Sequence, residues 1–335
     1  MGGPSARVGR DAARAAEMAD LSGEELVPGR ARRENSPLTS SAYPELSMRL
    51  ATILTPHGPR AAAQVGNHFV DLHATDPGLP TSVKHLLAAS ATVRKAAAEA
   101  AASPHAVKYA ADAVKILPPI PDPSKILCIG LNYRDHAIEG GKPIPTEPVV
   151  FGKFANTLVG QGDPIKIPKV SKEVDYEAEL VVVIGKTGKH IPNDASAFDY
   201  VGGYTCGHDV SGRDWQFRGA EKQWIIGKTF DTFAPIGPVV VTTDELTDPH
   251  KLQIQLRLNG QTLQNSNTKE FIFGVPALLA FLSQVITLEP GDLIFTGTPP
   301  GVGIARKPPI LLKAGDVVEV EIEKIGVLKN PCVAE

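Results

Sequence analysis

Short apolar runs separated by Gly, Pro and Asp set the rhythm of this chain. "RLATIL" (49–54), "AAAQVG" (61–66) and "HFVDL" (68–72) predict strands, and an Ala-rich stretch from Ser82 to Ala113 follows them. There Val83, Leu86 and Leu87 fall at i, i+3 and i+4 behind Thr81 and Ser82, the spacing of an amphipathic helix behind a capping residue. From residue 125 the pattern turns to strands: "KILCIG", "PVVFGKF", "ELVVVIG", "PVVVTT", "LQIQLRLNG", "DLIFTG" and "DVVEVEIEKIG" are rich in β-branched residues. One helix interrupts them at 275–286, where Leu278, Leu279 and Leu282 share a face. Gly-Asp pairs at 162/163, 291/292 and 315/316 each stand just before a strand, as turn residues do.

The pattern predicts an α+β protein, mostly β, built as a mixed and mainly antiparallel roll or sandwich. "LPPIPDP" (117–123) removes backbone donors and is the expected boundary between a small amino-terminal α/β subdomain at 48–117 and a β-rich catalytic domain at 118–335. Residues 1–47 are polar, with six arginines interspersed among acids, and read as a disordered extension or a leader ahead of Met48. An arginine-bearing leader suits mitochondrial import, whereas its acids do not.

Composition narrows the function. The 335 residues, 42% hydrophobic and 21% charged, suffice for one large domain or two unequal ones. A net charge of −3 offers no basic field for nucleic acid or an anionic membrane surface, which favours small-molecule partners. The 3 cysteines, Cys128, Cys206 and Cys332, are widely spaced and outside any C-x-x-C pair, so a disulfide framework or zinc ribbon is not indicated. A reducing interior, the cytoplasm or the mitochondrial matrix, fits best. No apolar run reaches the roughly 18 residues that span a bilayer, and no secretory signal core is present at the start.

"VDYEAEL" (174–180) places Asp175, Glu177 and Glu179 at alternate positions, hence on one face if the segment is a strand. Such a face is either solvated or supplies oxygen ligands to a hard divalent cation. "GHDVSGRDWQF" (207–217) adds Asp209 among small residues, where a buried carboxylate needs a partner. His208 and Asp209 are adjacent and point oppositely in a strand, so both cannot face one ion, and Mg²⁺ or Mn²⁺ is favoured over zinc.

In "NYRDHAIEGG" (132–141), His136 and Glu139 are three apart and share a helical face. They suit a base oriented by a carboxylate, or equally an exposed ion pair; the two glycines that follow suit a hinge or lid. Lys228 in "GKTFDTFAPIGP" (227–238) either neutralises an anionic substrate or is solvated. "TGTPPGVG" (296–303) lacks the G-x-G-x-x-G spacing and carries Pro299 and Pro300, which argues against a dinucleotide site. It reads as a tight loop, or as hydroxyl and backbone donors centred on Thr298 for a carboxylate or enolate.

Taken together, "GLNYRDHAIE", "VDYEAELVVVIGK", "GHDVSGRDWQ", "GKTFDTFAPIGP" and "FTGTPPGVG" resemble the fumarylacetoacetate hydrolase family from about Met48 to Leu328. "KQWIIGKTFDTF" and "TGTPPGVGIARKPP" look most like its domain-containing protein 2 subgroup. The resemblance implies a mixed β-roll and a Mg²⁺ or Mn²⁺ site with Glu177, Glu179 and Asp209 as ligands and Asp175 behind them. It implies His136 and Glu139 as the catalytic dyad on a lid, with Lys228 beside them, and Arg213, Gln216, Lys228 and Thr298 as substrate contacts. Ile129 stands where the larger fumarylacetoacetate-cleaving enzymes carry a further Asp, which counts against that hydrolysis here. Gly212 replaces a usual Ala.

Family chemistry runs through a metal-stabilised enolate of an α-keto acid. From it the paths divide into proton transfer, C–C hydrolysis or decarboxylation. The subgroup resemblance implies oxaloacetate keto-enol tautomerase activity in a homodimer. The alternatives are an acylpyruvate-type C–C hydrolase, a 2-hydroxyhepta-2,4-diene-1,7-dioate isomerase or decarboxylase, or a non-catalytic metal-binding scaffold. The presence of His136 and Glu139 argues against the scaffold.

Overall fold

The computed structural model describes residues 47–335, except 140, 142, 221 and 222. The expected extension at 1–47 lies outside the described residues but for Ser47, and so does Gly140 of the glycine pair.

The first strands are β1 (Arg49–Thr55), β2 (Gly58–Val65) and β3 (His68–Asp71), followed by the helices α1 (Leu72–Thr75), α2 (Val83–Leu87) and α3 (Ala91–Ala102). Ser82 caps α2 by accepting from the His85 N–H at 3.2 Å, as expected, but a second cap at Ser90 divides the Ala-rich stretch into two helices. Then come β4 (Lys108–Ala110), β5 (Lys115–Leu117), β6 (Ile126–Gly130), α4 (Arg134–Glu139), β7 (Val149–Lys153), β8 (Leu158–Val159), β9 (Ile165–Ile167), β10 (Val174–Asp175), β11 (Ala178–Ile184), β12 (Val201–His208) and β13 (Ser211–Gly212). The remainder is α5 (Arg213–Gln216), α6 (Trp224–Lys228), β14 (Ala234–Thr242), β15 (Gln253–Leu258), β16 (Gln261–Asn267), α7 (Val275–Val285), β17 (Leu293–Phe295), β18 (Val317–Ile322) and β19 (Gly326–Ala334).

One sheet runs β4-β3-β2-β1-β14-β12-β11-β17-β6-β7, with β5 added at β1 and β8 at β14. A second runs β16-β15-β18-β19-β9. Among the described residues the parallel pairs are β17 with β6, β14 with β8, and β19 with β9; the rest are antiparallel. The segment 48–117 does not build a sheet of its own: Arg49 pairs with Val241 and Leu50 with Val240, so β1 continues the sheet formed by the strands after residue 118.

β11 shows how sequence alternation divides the core. Ala178, Leu180, Val182 and Ile184 face the cluster shared with Ile254, Leu256, Val318 and Val320 of the second sheet. Val181 and Val183 face the other cluster, with Val83, Leu86 and Ala97 of the helices. Every residue of β11 is buried, and from Leu180 to Ile184 the strand is a continuous apolar run; Glu179 is its one charged member. Turn chemistry behaves as the sequence predicts: Asp163, Asp292 and Asp316 each accept the N–H three residues earlier, at 3.0, 2.7 and 2.9 Å.

Candidate active site and metal centre

"VDYEAEL" is not one strand. The Asp175 carboxylate takes the Tyr176 N–H at 2.8 Å and Gln264 Oε1 takes the Ala178 N–H at 2.9 Å, which diverts the backbone from any ladder between them. β10 therefore ends at Asp175 and pairs with β13, while β11 begins at Ala178 inside the large sheet. This break separates the acids. Glu177 and Glu179 meet Asp209, one carboxylate oxygen of each lying within 4.8 Å of the others, and Asp175 is turned aside.

Register explains why Asp209 joins them. Glu179 lies opposite Gly207, two positions before Asp209, so all three side chains project from one face of the β11–β12 pair. Gly207 is needed between them, because a Cβ there would overlap Val181 and Phe295. His208 projects to the opposite face, where its Nε2 is buried without a partner and burial, with Lys153 adding to it, pushes its imidazole down to about 3. The ring is not part of the acid cluster.

Two lysines hold the cluster together. Lys228 Nζ donates to Glu177 Oε2 and to Asp209 Oδ2, both at 2.7 Å, and Lys153 Nζ donates to Asp209 Oδ1 at 2.5 Å. Arg213 is placed by three partners: Asp175 at 2.9 Å, Glu177 at 2.7 Å and Gln216 Oε1 at 2.8 Å. Burial alone would raise the Glu177 carboxyl, but the charges of Lys228 and Arg213 overcome it and hold the group well below the usual range. Glu179 behaves oppositely. Burial, then Asp209 and Glu177, push its carboxyl well up, although the Gly297 N–H donates to it at 2.8 Å. Glu177 and Asp209 are bonded by Lys228, Lys153 and Arg213, whereas Glu179 has the Gly297 amide as its hydrogen-bond donor and faces the repulsion of the two acids beside it.

A divalent cation relieves that repulsion, and the donor set fits one. The cluster offers only carboxylate oxygens, with no imidazole or thiol among them, which suits Mg²⁺ or Mn²⁺ better than zinc.

The loop from Gly297 to Arg306 supplies donors, one of the two readings of 296–303 in the sequence, and the structure shows which acids they meet. Its backbone N–H groups reach three of the acids: Gly297 to Glu179, Gly303 at 2.7 Å and Ile304 at 3.1 Å to Asp175, and Gly301 at 3.1 Å to both oxygens of Glu139. Arg306 in turn donates to the Gly301 and Leu263 carbonyls and to Tyr176 Oη. Thr298 is polarised by a neighbour. Gln264, its orientation fixed by the Ala178 N–H, donates from Nε2 to Thr298 Oγ1 at 2.9 Å, which leaves the hydroxyl proton of Thr298 to be given elsewhere.

His136 and Glu139 lie on α4, where Nδ1 and Oε2 are 3.2 Å apart. The helix is anchored by Arg134 to the Phe271 carbonyl and by Ser266 donating to Asp135. A cavity of about 170 Å³ brings His136, Glu177, Glu179, Arg213, Gln216, Lys228 and Thr298 to one surface. Asp209 is fully buried beneath it, and Glu139 reaches it only through His136. The residues that sequence reasoning missed are Lys153, Gln264 and Arg306. Of these, only Lys153 carried a signal, a single cation inside the apolar run "VVFGKF".

Comparison with known proteins agrees with this architecture. Residues 125–333 match the family described as Fumarylacetoacetate (FAA) hydrolase C-terminal. The mitochondrial oxaloacetate tautomerase fahd2 of Xenopus laevis is 48% identical, over 88% of this chain and 92% of its own. The mitochondrial oxaloacetate tautomerase FAHD2A of Homo sapiens is 45% identical, over 92% of this chain and 100% of its own. Among solved structures, the 2-hydroxyhepta-2,4-diene-1,7-dioate isomerase of Mycobacterium marinum superposes with a TM-score of 0.68 at 34% identity, covering 86% of this chain and 99% of that one.

Proposed function

The chain belongs to the fumarylacetoacetate hydrolase family, and on that premise we propose that it is a Mg²⁺- or Mn²⁺-dependent oxaloacetate keto-enol tautomerase. The observation that carries the reading is the single cavity in which an imidazole faces a cluster of buried carboxylates. Glu177, Glu179 and Asp209 would hold the cation, which supplies positive charge against the negative charge that develops on the substrate oxygen.

The chain's own residues do the rest. Arg213 is held rigidly by Asp175, Glu177 and Gln216, and its planar guanidinium orients a substrate carboxylate at little entropic cost. Thr298, with its lone pair engaged by Gln264, donates its proton to a substrate oxygen. With Nδ1 directed at Glu139, His136 presents Nε2 to the substrate. It takes the enol proton and returns one to the neighbouring carbon, so the imidazole ends in the state in which it began. Glu139 stabilises the imidazolium formed in between, and the Gly301 N–H keeps that carboxylate in place.

A second reading, a 2-hydroxyhepta-2,4-diene-1,7-dioate isomerase, is favoured by the Mycobacterium marinum structure and uses the same proton transfer on a longer diacid. The reading also carries a homodimer, decided by light scattering, and a mitochondrial matrix location, which the names of the curated relatives support. Purified protein with Mg²⁺ is expected to accelerate the loss of the enol-oxaloacetate ultraviolet signal beyond the spontaneous rate, and Glu177→Ala to abolish the gain. Pyruvate released from acetylpyruvate would instead mark a hydrolase. Absence of acceleration at any metal concentration overturns the tautomerase.

A further inference from the structure

One side of the cavity is an aromatic wall, and its construction bears on which keto acids enter. Trp224 opens α6, the short helix that ends in Lys228, so the wall and the lysine that bonds Glu177 and Asp209 come from one helical turn. The Trp224 ring packs edge-on against Phe151, with centroids 5.6 Å apart and an interplanar angle of 66°. Phe151 in turn lies 5.0 Å from Lys228 Nζ. The path from the carboxylates outward is therefore Lys228, Phe151, Trp224.

Gly130, at the end of β6, completes the seat. A Cβ at this position would overlap Trp224 Cζ3, so the ring occupies the volume that any other side chain would need. The Gly130 backbone lies outside the positive-φ region, so close approach and not backbone conformation is what the glycine provides. Trp224 is thus held on two sides, and it lines the cavity together with Ile129, Leu131 and Phe217. Size decides the consequence. A volume of about 170 Å³ is close to the ~150 Å³ cavity that accepts benzene, and well below the roughly 300–1,000 Å³ of sites for larger ligands.

We propose that Trp224, seated on Gly130 and against Phe151, limits the substrate to short-chain keto acids, with oxaloacetate accepted and keto acids bearing a bulky distal group refused. The inference rests on the keto-acid reading of the site. It extends that reading from the reacting end of the substrate to its distal end.

The test is calorimetric titration of the full chain in Mg²⁺ with two probes: oxalate, too short to reach the wall, and phenylpyruvate, whose ring must occupy it. Wild type is expected to bind oxalate and to bind phenylpyruvate weakly or not at all. In Trp224→Ala the ratio of phenylpyruvate to oxalate affinity should rise at least about tenfold, the scale of a mismatch in an apolar pocket. Trp224→Leu, which keeps apolar packing against Phe151, covers the case in which the alanine variant does not fold, and should shift the ratio in the same direction. If oxalate binds and the ratio is the same in wild type and variants, the wall is not selective and the inference falls alone. If oxalate fails to bind metal-loaded wild type, the keto-acid reading falls and takes the inference with it.

Discussion

Removing the positive charge of Lys228 tests the electrostatic account of the acid cluster. Its ammonium is fully buried and donates at 2.7 Å to both Glu177 and Asp209. Lys228→Met keeps most of the volume of the side chain and deletes the charge together with these two hydrogen bonds. Leaving one member of a buried ion pair alone costs about 3–5 kcal/mol. Here Arg213 still bonds Glu177 and Lys153 still bonds Asp209, so the low end, about 3 kcal/mol, is expected. At about 2 °C per kcal/mol for a chain of this size, the Tm in EDTA should fall by roughly 6 °C.

Mg²⁺ should reverse part of that loss. The variant's cluster has one cation fewer, and unit charges about 4 Å apart interact by up to about 4 kcal/mol at an effective dielectric of about 20. Even a tenfold gain in Mg²⁺ affinity adds about 1.4 kcal/mol of stabilisation at saturating metal, or roughly 3 °C. Thermal unfolding of both proteins in EDTA and in a Mg²⁺ series reads both effects. If the variant melts with wild type in EDTA, or if Mg²⁺ raises both Tm values equally, the charge balance drawn for this cluster is wrong.

Two further predictions address positioning and pH. Gly301 has φ +99 and its N–H holds Glu139, while a Cβ there would overlap the Leu263 carbonyl oxygen; Gly301→Ala should displace the amide and lower turnover about 10- to 100-fold, the worth of a hydrogen bond to a charged group. Unchanged kcat in that variant would remove the loop from the account of the dyad. His250 Nε2 accepts the Val275 N–H at the start of α7 at 2.9 Å, and burial lowers its pKa despite Asp248 beside it, with Lys251 adding to the lowering. A group depressed on folding contributes stability that is full above its unfolded pKa of about 6.5 and is lost as pH falls towards the folded value. Chemical denaturation should therefore show wild type losing more stability than His250→Gln between about pH 7 and 5, and equal slopes would contradict this.

Local pattern and long-range pairing were unequally legible in the sequence. The run "ELVVVIG" predicted β11, whereas the glycine-rich "VGGYTCGH" of β12 was not among the predicted strands; the adjacency of His208 and Asp209 still separated a buried imidazole from a carboxylate of the cluster. The spacing of His136 and Glu139 placed them on one helical turn because helical geometry is local. The union of β1 with β14 was not legible, since the pairing of Arg49 with Val241 depends on no local signal. "LPPIPDP" does end the regular structure after β5, yet the strands on either side of it join one sheet. The break in "VDYEAEL" escaped the alternation argument because its cause, Gln264 capturing the Ala178 N–H, lies 86 residues away. The stretch 296–303 read as a source of donors, but which acids its amides meet was not legible, because the pairing of Gly297, Gly301, Gly303 and Ile304 with Glu179, Glu139 and Asp175 is set by tertiary placement. Gly130 is the same kind of omission: only the position of the Trp224 ring shows why that residue has no side chain.

In the proposed mechanism His136, oriented by Glu139, moves the proton while the carboxylate cluster holds the cation. Its most direct test is the rate of enol-oxaloacetate loss for wild type and His136→Ala, each shown by calorimetry to bind Mg²⁺. Equal metal affinity is expected, with the rate of the variant reduced to the spontaneous one. A metal-loaded His136→Ala that turns over at the wild-type rate would contradict it.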